Sequence, residues 1–307
     1  MIKVFIDGSQ GTTGLRIHER LGSRKDITLQ KIGEEDRKDP AVRAGIMDDS
    51  DIVFLCLPDA AAKEAAGLVK NDRTVIIDTS TAHRTAEGWT YGFPELCGMK
   101  EKIAASKRIA NPGCHASGYI ALVNPLVEAG LIKKDALLTC FSLTGYSGGG
   151  KKMIGQYEEP ELKDSLLAPR QYGLTLTHKH LPEMVMYGGL STAPVFCPIV
   201  SSYYSGMQVT VSLFKDMANG GISDIKDALN DFADGKIIVY RDDPDENGFL
   251  SAGGLSGSDR MELSVYGNDD RMILVSRFDN LGKGASGAAI ENMNIVMGQD
   301  PAFGLDI

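Results

Sequence analysis

The 307-residue chain lacks any apolar run close to the roughly 18 residues that span a bilayer. Its N-terminus runs straight into a short strand-like segment instead of a basic start and a long apolar stretch. No signal peptide or membrane contact is therefore expected, and the protein is expected in the cytoplasm. An excess of positive charge is missing too: 32 Lys and Arg stand against 41 Asp and Glu, a net charge of −9. That balance argues against a general binder of nucleic acid or anionic membrane, although local fields still permit anionic metabolites. Cysteines are few, odd in number and scattered, at Cys56, Cys97, Cys114, Cys140 and Cys197, with no C-x-x-C pair. Such spacing excludes a disulfide frame, predicts no metal site, and suits reduced thiols. Repeats, coiled-coil heptads and low-complexity tails are absent as well. What is present is an ordinary globular composition, 43% hydrophobic and 24% charged, over a length that accommodates two domains.

Through about residue 110 the chain alternates strand-like and helical segments. Ile2–Ile6, Ile27–Ile32, Ile52–Leu57 and Val75–Asp78 read as nearly continuous apolar strands, with helical spacing after the first and an Ala-rich helix over Ala60–Val69. This rhythm predicts a parallel sheet covered on both faces, of Rossmann type. Beyond Cys114 the character changes. A long amphipathic helix is expected over His115–Leu131. Strands follow at Leu137–Leu143, Gln208–Phe214 and Lys236–Tyr240, with a hairpin of Met261–Tyr266 and Met272–Phe278 around Gly267-Asn268-Asp269-Asp270. A second, α+β domain with a largely antiparallel sheet, for substrate and dimerisation, is the expectation. A last helix over Ala285–Gly298 is placed with the first domain, giving 1–113 plus about 284–307 for the dinucleotide-binding domain and 114–283 for the catalytic one.

Three clusters carry chemistry. Gly8-Ser9-Gln10-Gly11-Thr12-Thr13-Gly14 lies between the first strand and a helix, where glycines let a backbone approach a pyrophosphate and a helix N-terminus offers N–H groups. The spacing is G-x-x-G-x-x-G, so a purely structural turn is the competing reading. After the second strand, Glu34, Glu35, Asp36, Arg37 and Lys38 mix carboxylates with cations, and the choice between NAD and NADP stays open there. Asn111-Pro112-Gly113-Cys114 puts a thiol at a helix start, where the dipole and N–H donors favour a thiolate. The other four cysteines read as small buried hydrophobes. His178-Lys179-His180-Leu181-Pro182-Glu183 supplies two imidazoles for acid–base work and a carboxylate, against a surface polar loop or a metal pair as the alternative. The run Gly145 to Lys152 offers backbone donors and the ammonium groups of Lys151 and Lys152 for a phosphate or carboxylate, or else is a linker.

Together these segments resemble the N-acetyl-γ-glutamyl-phosphate reductase family, in its shorter form, within the aspartate-semialdehyde and glyceraldehyde-3-phosphate dehydrogenase-like superfamily. The likeness rests on Asn111–Cys114, on His178–Glu183, on Tyr91-Gly92-Phe93-Pro94-Glu95-Leu96, on Asp279–Gly287 and on Glu291-Asn292-Met293-Asn294, in that family's order. Departures are the GSQGTTG loop, His115 where many members carry Tyr, and Lys151 where a family Arg is expected. The resemblance implies NADP(H)-dependent reduction of N-acetyl-glutamyl 5-phosphate to the 5-semialdehyde in arginine biosynthesis, through a Cys114 thioester. It implies His180 as acid and base, with His178 in reserve. Gly8, Gln10, Gly11, Thr12, Thr13 and Gly14 are expected on the pyrophosphate, Asn280 near the nicotinamide, and Lys151, Glu183 and His178 on the substrate. A homo-oligomer, dimer or tetramer, is the family expectation. Alternatives are a related acyl-phosphate reductase (aspartate-semialdehyde or carrier-bound aminoadipyl type) and, more remotely, a non-catalytic dinucleotide-binding redox sensor.

Overall fold

A computed structural model describes every residue except Leu162 and Asp234. The chain divides into two compact units, Met1–Pro112 with Ala285–Leu305, and Gly113–Gly284 with Asp306–Ile307. The first contains six strands: β1 (Ile2–Asp7), β2 (Ile27–Leu29), β3 (Ile52–Leu55), β4 (Val75–Asp78), β5 (Thr90–Tyr91) and β6 (Arg108–Ala110). They lie in the order β2-β1-β3-β4-β6-β5, and every pair is parallel. Helices α1 (Thr12–Leu21), α2 (Pro40–Asp49), α3 (Asp59–Ala66) and α4 (Met99–Ala105) connect them. Alternation along β1 fills two cores. Val4 and Ile6 pack with Ile17, Phe54 and Ile109 on one face, and Phe5 packs with Met47, Val53 and Ile76 on the other. Two buried faces are why these strands carry apolar residues without a break. The first face is completed by Ala289, Ile290 and Met293 of the closing helix. That helix is shorter than expected, Gly287–Val296, because Gly282–Ser286 adopts a wider π-type turn before it. The second strand likewise stops at Leu29.

The second unit is a seven-stranded sheet backed by helices. Its elements are α5 (Cys114–Glu128), β7 (Thr139–Gly145), α6 (Gly150–Tyr157), α7 (Asp164–Leu167), β8 (Arg170–Gln171), α8 (Leu181–Gly188), β9 (Val195–Ser201), β10 (Met207–Phe214), α9 (Ile222–Phe232), β11 (Ile238–Tyr240), β12 (Met261–Asn268) and β13 (Arg271–Phe278). The strand order is β11-β12-β13-β10-β7-β9-β8. Four of the pairings are antiparallel, including the expected β12–β13 hairpin, while β7–β9 and β11–β12 run parallel. The expectation of an amphipathic helix after Cys114 is corrected. Residues His115 to Val123 of α5 are all buried, because the helix runs between the sheet and its neighbours α8 and α9. Close approach explains Gly118: a Cβ there would sit 2.6 Å from Ser276 Oγ and from Val209 Cγ2. No helix among the described residues is long and apolar enough to cross a membrane.

Candidate active site and cofactor turn

The glycine turn follows β1 at the point where the strand order reverses, between β1 and β3, which is where open α/β sheets bind ligands. Gly8 has φ +85°, and a Cβ on it would lie 2.3 Å from the Cys56 carbonyl oxygen at the end of β3. A Cβ on Gly14 would meet the Gly8 carbonyl at 2.5 Å. The glycines are therefore required by the turn itself, and their lack of side chains leaves the helix start bare. Gly11 caps α1 without a side-chain hydrogen bond, no acidic residue occupies the first turn, and the first-turn N–H groups have no intrahelical acceptor. Thr12 Oγ1 is buried without a hydrogen-bond partner among the described residues. Unspent N–H donors, an orphaned hydroxyl and a positive helix end suit a dinucleotide pyrophosphate. Nearby, Asp7 at the end of β1 holds Arg43 of α2 at 2.7 Å in a buried ion pair that no sequence pattern announced. Burial raises the Asp7 carboxyl above its ordinary range, against the opposing hydrogen bond and charge of Arg43. In the charged segment after β2, Arg37 lies 3.6 Å from Glu34 in an exposed pair.

In the second unit, Cys114 is the first residue of α5, and Gly113 before it is extended (φ −80°, ψ 143°). Two contacts fix this start. The Gly113 N–H donates to Glu183 Oε2 at 3.1 Å, and the Gly113 carbonyl accepts from the Ser117 N–H and hydroxyl. Glu183 is 1% exposed, and its Oε2 holds the backbone that precedes the thiol. Gly284 crowds the other side: a Cβ there would lie 2.9 Å from Cys114 Cβ.

His115 turns beneath the thiol into the unit. Its Nδ1 is 2.7 Å from Ser142 Oγ on β7 and its Nε2 is 2.7 Å from the Tyr172 hydroxyl. Burial, and secondarily the charge of His178, push His115 down to about 3, so it stays neutral at physiological pH. Both residues of the imidazole pair gather on it, with ring centroids 5.7 Å away for His178 and 5.6 Å for His180. The His178–His180 segment is a loop that ends where α8 begins at Leu181, with Pro182 in the first turn. The His180 N–H donates to His178 Nδ1 at 3.2 Å, which commits that nitrogen as an acceptor. Among the described residues no group of three His, Cys, Asp or Glu is arranged for a metal ion.

Tyr172 is raised above its ordinary range by burial and by the negative charge of a Cys114 thiolate, which puts phenol and thiol in one electrostatic neighbourhood. Burial pushes the Cys56 thiol up to about 12 and the Cys140 thiol further still, making both unreactive. Cys97 is exposed, which corrects the expectation that all four remaining cysteines are buried hydrophobes.

Asn280 is buried, its Nδ2 donating to Ser147 Oγ and its Oδ1 accepting from the Gly206 N–H, so it ties the turn after β7 to the strand β10 entry. Residues Tyr146–Gly149 form a tight 3-10 turn rather than a linker, and Lys151 stands exposed in the first turn of α6. Sequence reasoning missed Ser142 and Tyr172. Strand alternation alone pointed Ser142 inward, and nothing local marked Tyr172.

Comparison with known proteins shows the family and the fold. Residues 3–106 match a family model described as the NAD binding domain of semialdehyde dehydrogenase, and residues 114–280 match the semialdehyde dehydrogenase dimerisation domain. The aspartate semialdehyde dehydrogenase II of Vibrio cholerae, solved with ASA, superimposes with a TM-score of 0.72 at 15% identity, covering 97% of this chain and 98% of that one. The aspartate semialdehyde dehydrogenase of Candida albicans, solved with NADP, gives 0.69 at 15%, with the same coverage. At that identity the likeness is one of fold. An N-acetyl-gamma-glutamyl-phosphate reductase of Sinorhizobium medicae is 45% identical over 305 residues, 96% of this chain and 98% of the relative. The chain belongs to the N-acetyl-γ-glutamyl-phosphate reductase family.

Proposed function

We propose that this chain reduces N-acetyl-γ-glutamyl phosphate to N-acetylglutamate 5-semialdehyde with NADPH, as a cytoplasmic step of arginine biosynthesis. The observation that carries the reading is the thiol at the bare start of α5, with its neighbour His115 packed against His178 and His180. The Cys114 sulfur attacks the acyl carbon, the C–S bond forms, and the bond to the phosphate oxygen breaks. First-turn N–H groups and the helix dipole favour both the thiolate and the developing oxyanion. When bound, the cofactor supplies the hydride that converts the thioester to a thiohemiacetal. His180 holds the proton that this oxygen takes up and receives it back as the C–S bond breaks, releasing the aldehyde. His178 is the weaker candidate, since its Nδ1 already accepts from the His180 backbone. Glu183 positions the thiol through Gly113, and Lys151 is assigned to an anionic group of the substrate.

Gly8, Gln10, Gly11, Thr12, Thr13 and Gly14 hold the cofactor pyrophosphate, and Asn280 shapes the turn expected near the nicotinamide. The choice of NADP follows the resemblance to the family, since the Glu34–Lys38 segment favours neither. Aspartate semialdehyde dehydrogenases share the fold at only 15% identity, so the substrate reading follows the relative at 45%. The test is NADPH formation from NADP, phosphate and N-acetylglutamate semialdehyde, beside aspartate semialdehyde. A preference for the aspartate compound, or turnover without phosphate, overturns the reading.

Self-association follows from the sheet face opposite α5. Phe141, Val195 and Ile273 stand there 43%, 48% and 41% exposed, on strands β7, β9 and β13. Exposed apolar residues on one sheet face, here with Thr210 and Ser212 of β10 between Phe141 and Ile273, are assigned to an interface between copies of a unit that matches a dimerisation domain. Phe141→Asp is expected to shift the sedimenting species from dimer to monomer without loss of secondary structure. An unchanged sedimentation coefficient removes this face from consideration.

A further inference from the structure

Arg170 opens β8 at the edge of the second sheet, paired with Val200 of β9, which in turn pairs with Thr144 of β7. Val200 and Thr144 face the helices, and in-register partners share a face, so Arg170 emerges on that side. One row along the strands lie Ser142, Pro198 and Tyr172, the last joined by its N–H to the Pro198 carbonyl. Tyr172 and Ser142 are the two partners of His115, next to Cys114. Arg170 therefore stands about 7 Å along the strand from the residue whose hydroxyl reaches that dyad.

Its guanidinium is aimed and under-used. Nη2 donates to the Tyr157 hydroxyl at 2.9 Å, and Tyr157 is itself stacked on Tyr146 with centroids 4.7 Å apart. Nε is buried without an acceptor, and no carboxylate pairs with Arg170 among the described residues. Three other buried or half-buried arginines have carboxylates: Arg24 has Asp26, Arg43 has Asp7, and Arg277 has both Glu246 and Glu262, while Arg84 and Arg108 donate to backbone carbonyls. A permanently charged fork with a desolvated, unmatched N–H is destabilising where it sits, and an incoming anion relieves it.

We propose that Arg170 binds the carboxylate at the non-reacting end of the substrate, so that the stretch from Cys114 to Arg170 measures the length of a 2-acylamino dicarboxylate. The inference rests on the substrate class proposed above and deepens it. A five-carbon chain spans about 5 Å between its terminal carbons, and the carboxylate oxygens and the arginine's own length extend that reach to a tail held one row beyond Tyr172. The phosphate is bonded to the attacked carbon itself, at the thiol, so the tail carboxylate is the better match. Planar bidentate recognition of a carboxylate is also what a guanidinium does and an ammonium does not.

Calorimetry on the full chain tests this with three probes: N-acetyl-L-glutamate, its α-carboxamide and inorganic phosphate. The wild type is expected to bind the glutamate about tenfold or more tightly than the amide. Arg170→Met is expected to bring the two within about twofold while phosphate affinity moves less than about twofold. Arg170→Lys is expected to recover part of the preference, and circular dichroism verifies that each variant folds. In turnover, Arg170→Met is expected to raise KM for the semialdehyde about tenfold and to leave KM for phosphate unaltered. A carboxylate preference that persists in Arg170→Met, or that the wild type never has, overturns the assignment, as does a loss confined to phosphate. If the wild type turns over no N-acetylglutamate semialdehyde but loses its carboxylate preference on substitution, the reaction falls and the Arg170 site stands.

Discussion

Cys114→Ala is expected to lower phosphate-dependent turnover by about four orders of magnitude or more and to keep NADPH binding. The size of the effect follows from what the thiol does. Without it there is no thioester, and hydride addition to an acyl phosphate in one step lacks the covalent route. Cys114→Ser keeps a hydroxyl in the same place and is expected to lose about three orders of magnitude, because an alcohol is not ionised at neutral pH without a matched base. The contrast with the remaining thiols sharpens the experiment. Cys56 is pushed up to about 12 and Cys140 beyond that by burial, so Cys56→Ala and Cys140→Ala are expected to stay within about tenfold of wild type. Intact mass after a quench with acyl phosphate and no cofactor should show one acyl adduct in wild type and none in Cys114→Ala. Activity of Cys114→Ala within about tenfold of wild type sinks the covalent route.

How much of this arrangement the sequence announces depends on whether the cause is local. A thiol at a helix start, a glycine turn after an apolar strand and a Pro at the first turn of α8 are local, and each stands where its pattern implied. Long-range partners are another matter. Ser142 is 27 residues from His115 and Tyr172 is 57, and only the pairing of β7, β9 and β8 brings them to one imidazole. Strand β9 was itself hard to read. Pro198 argues against a strand covered on both edges, since it has no N–H for a ladder. It is tolerated because β9 needs only its carbonyl at that point, which accepts from Tyr172. Helix α5 misled in the opposite direction: its His, Ser and Gly residues resemble a polar face, yet each is buried against a specific partner. Glu183 reads as a substrate ligand in a motif beside two histidines. Its Oε2 also accepts from the Gly113 N–H, a contact visible only once the loop and the helix start are together.

The cofactor turn yields the second large effect, and it separates steric need from ligand contact. Gly8→Val is expected to lose about 2–5 kcal/mol of unfolding free energy, from about 1–2 for a left-handed backbone and about 1–3 for displacing the backbone that ends β3. The displacement is unavoidable because the added Cβ lies 2.3 Å from the Cys56 carbonyl oxygen, an atom of the neighbouring strand and not the end of a flexible side chain. Gly88→Ala supplies the control. Its φ of +78° is nearly the same as the +85° of Gly8, yet nothing lies within 4 Å of its Cβ. That variant pays the backbone term alone, about 1–2 kcal/mol, and keeps NADPH affinity. Urea unfolding measures the two stabilities, and fluorescence titration at low temperature measures NADPH binding in the folded fraction. The milder Gly8→Ala is expected to weaken NADPH at least about tenfold, because relieving the clash moves the first-turn N–H groups of α1 away from the pyrophosphate. If Gly8→Ala instead matches Gly88→Ala in stability and wild type in affinity, the turn after β1 is not the cradle. The bare helix start at Gly11 and the orphaned Thr12 hydroxyl then serve some other group.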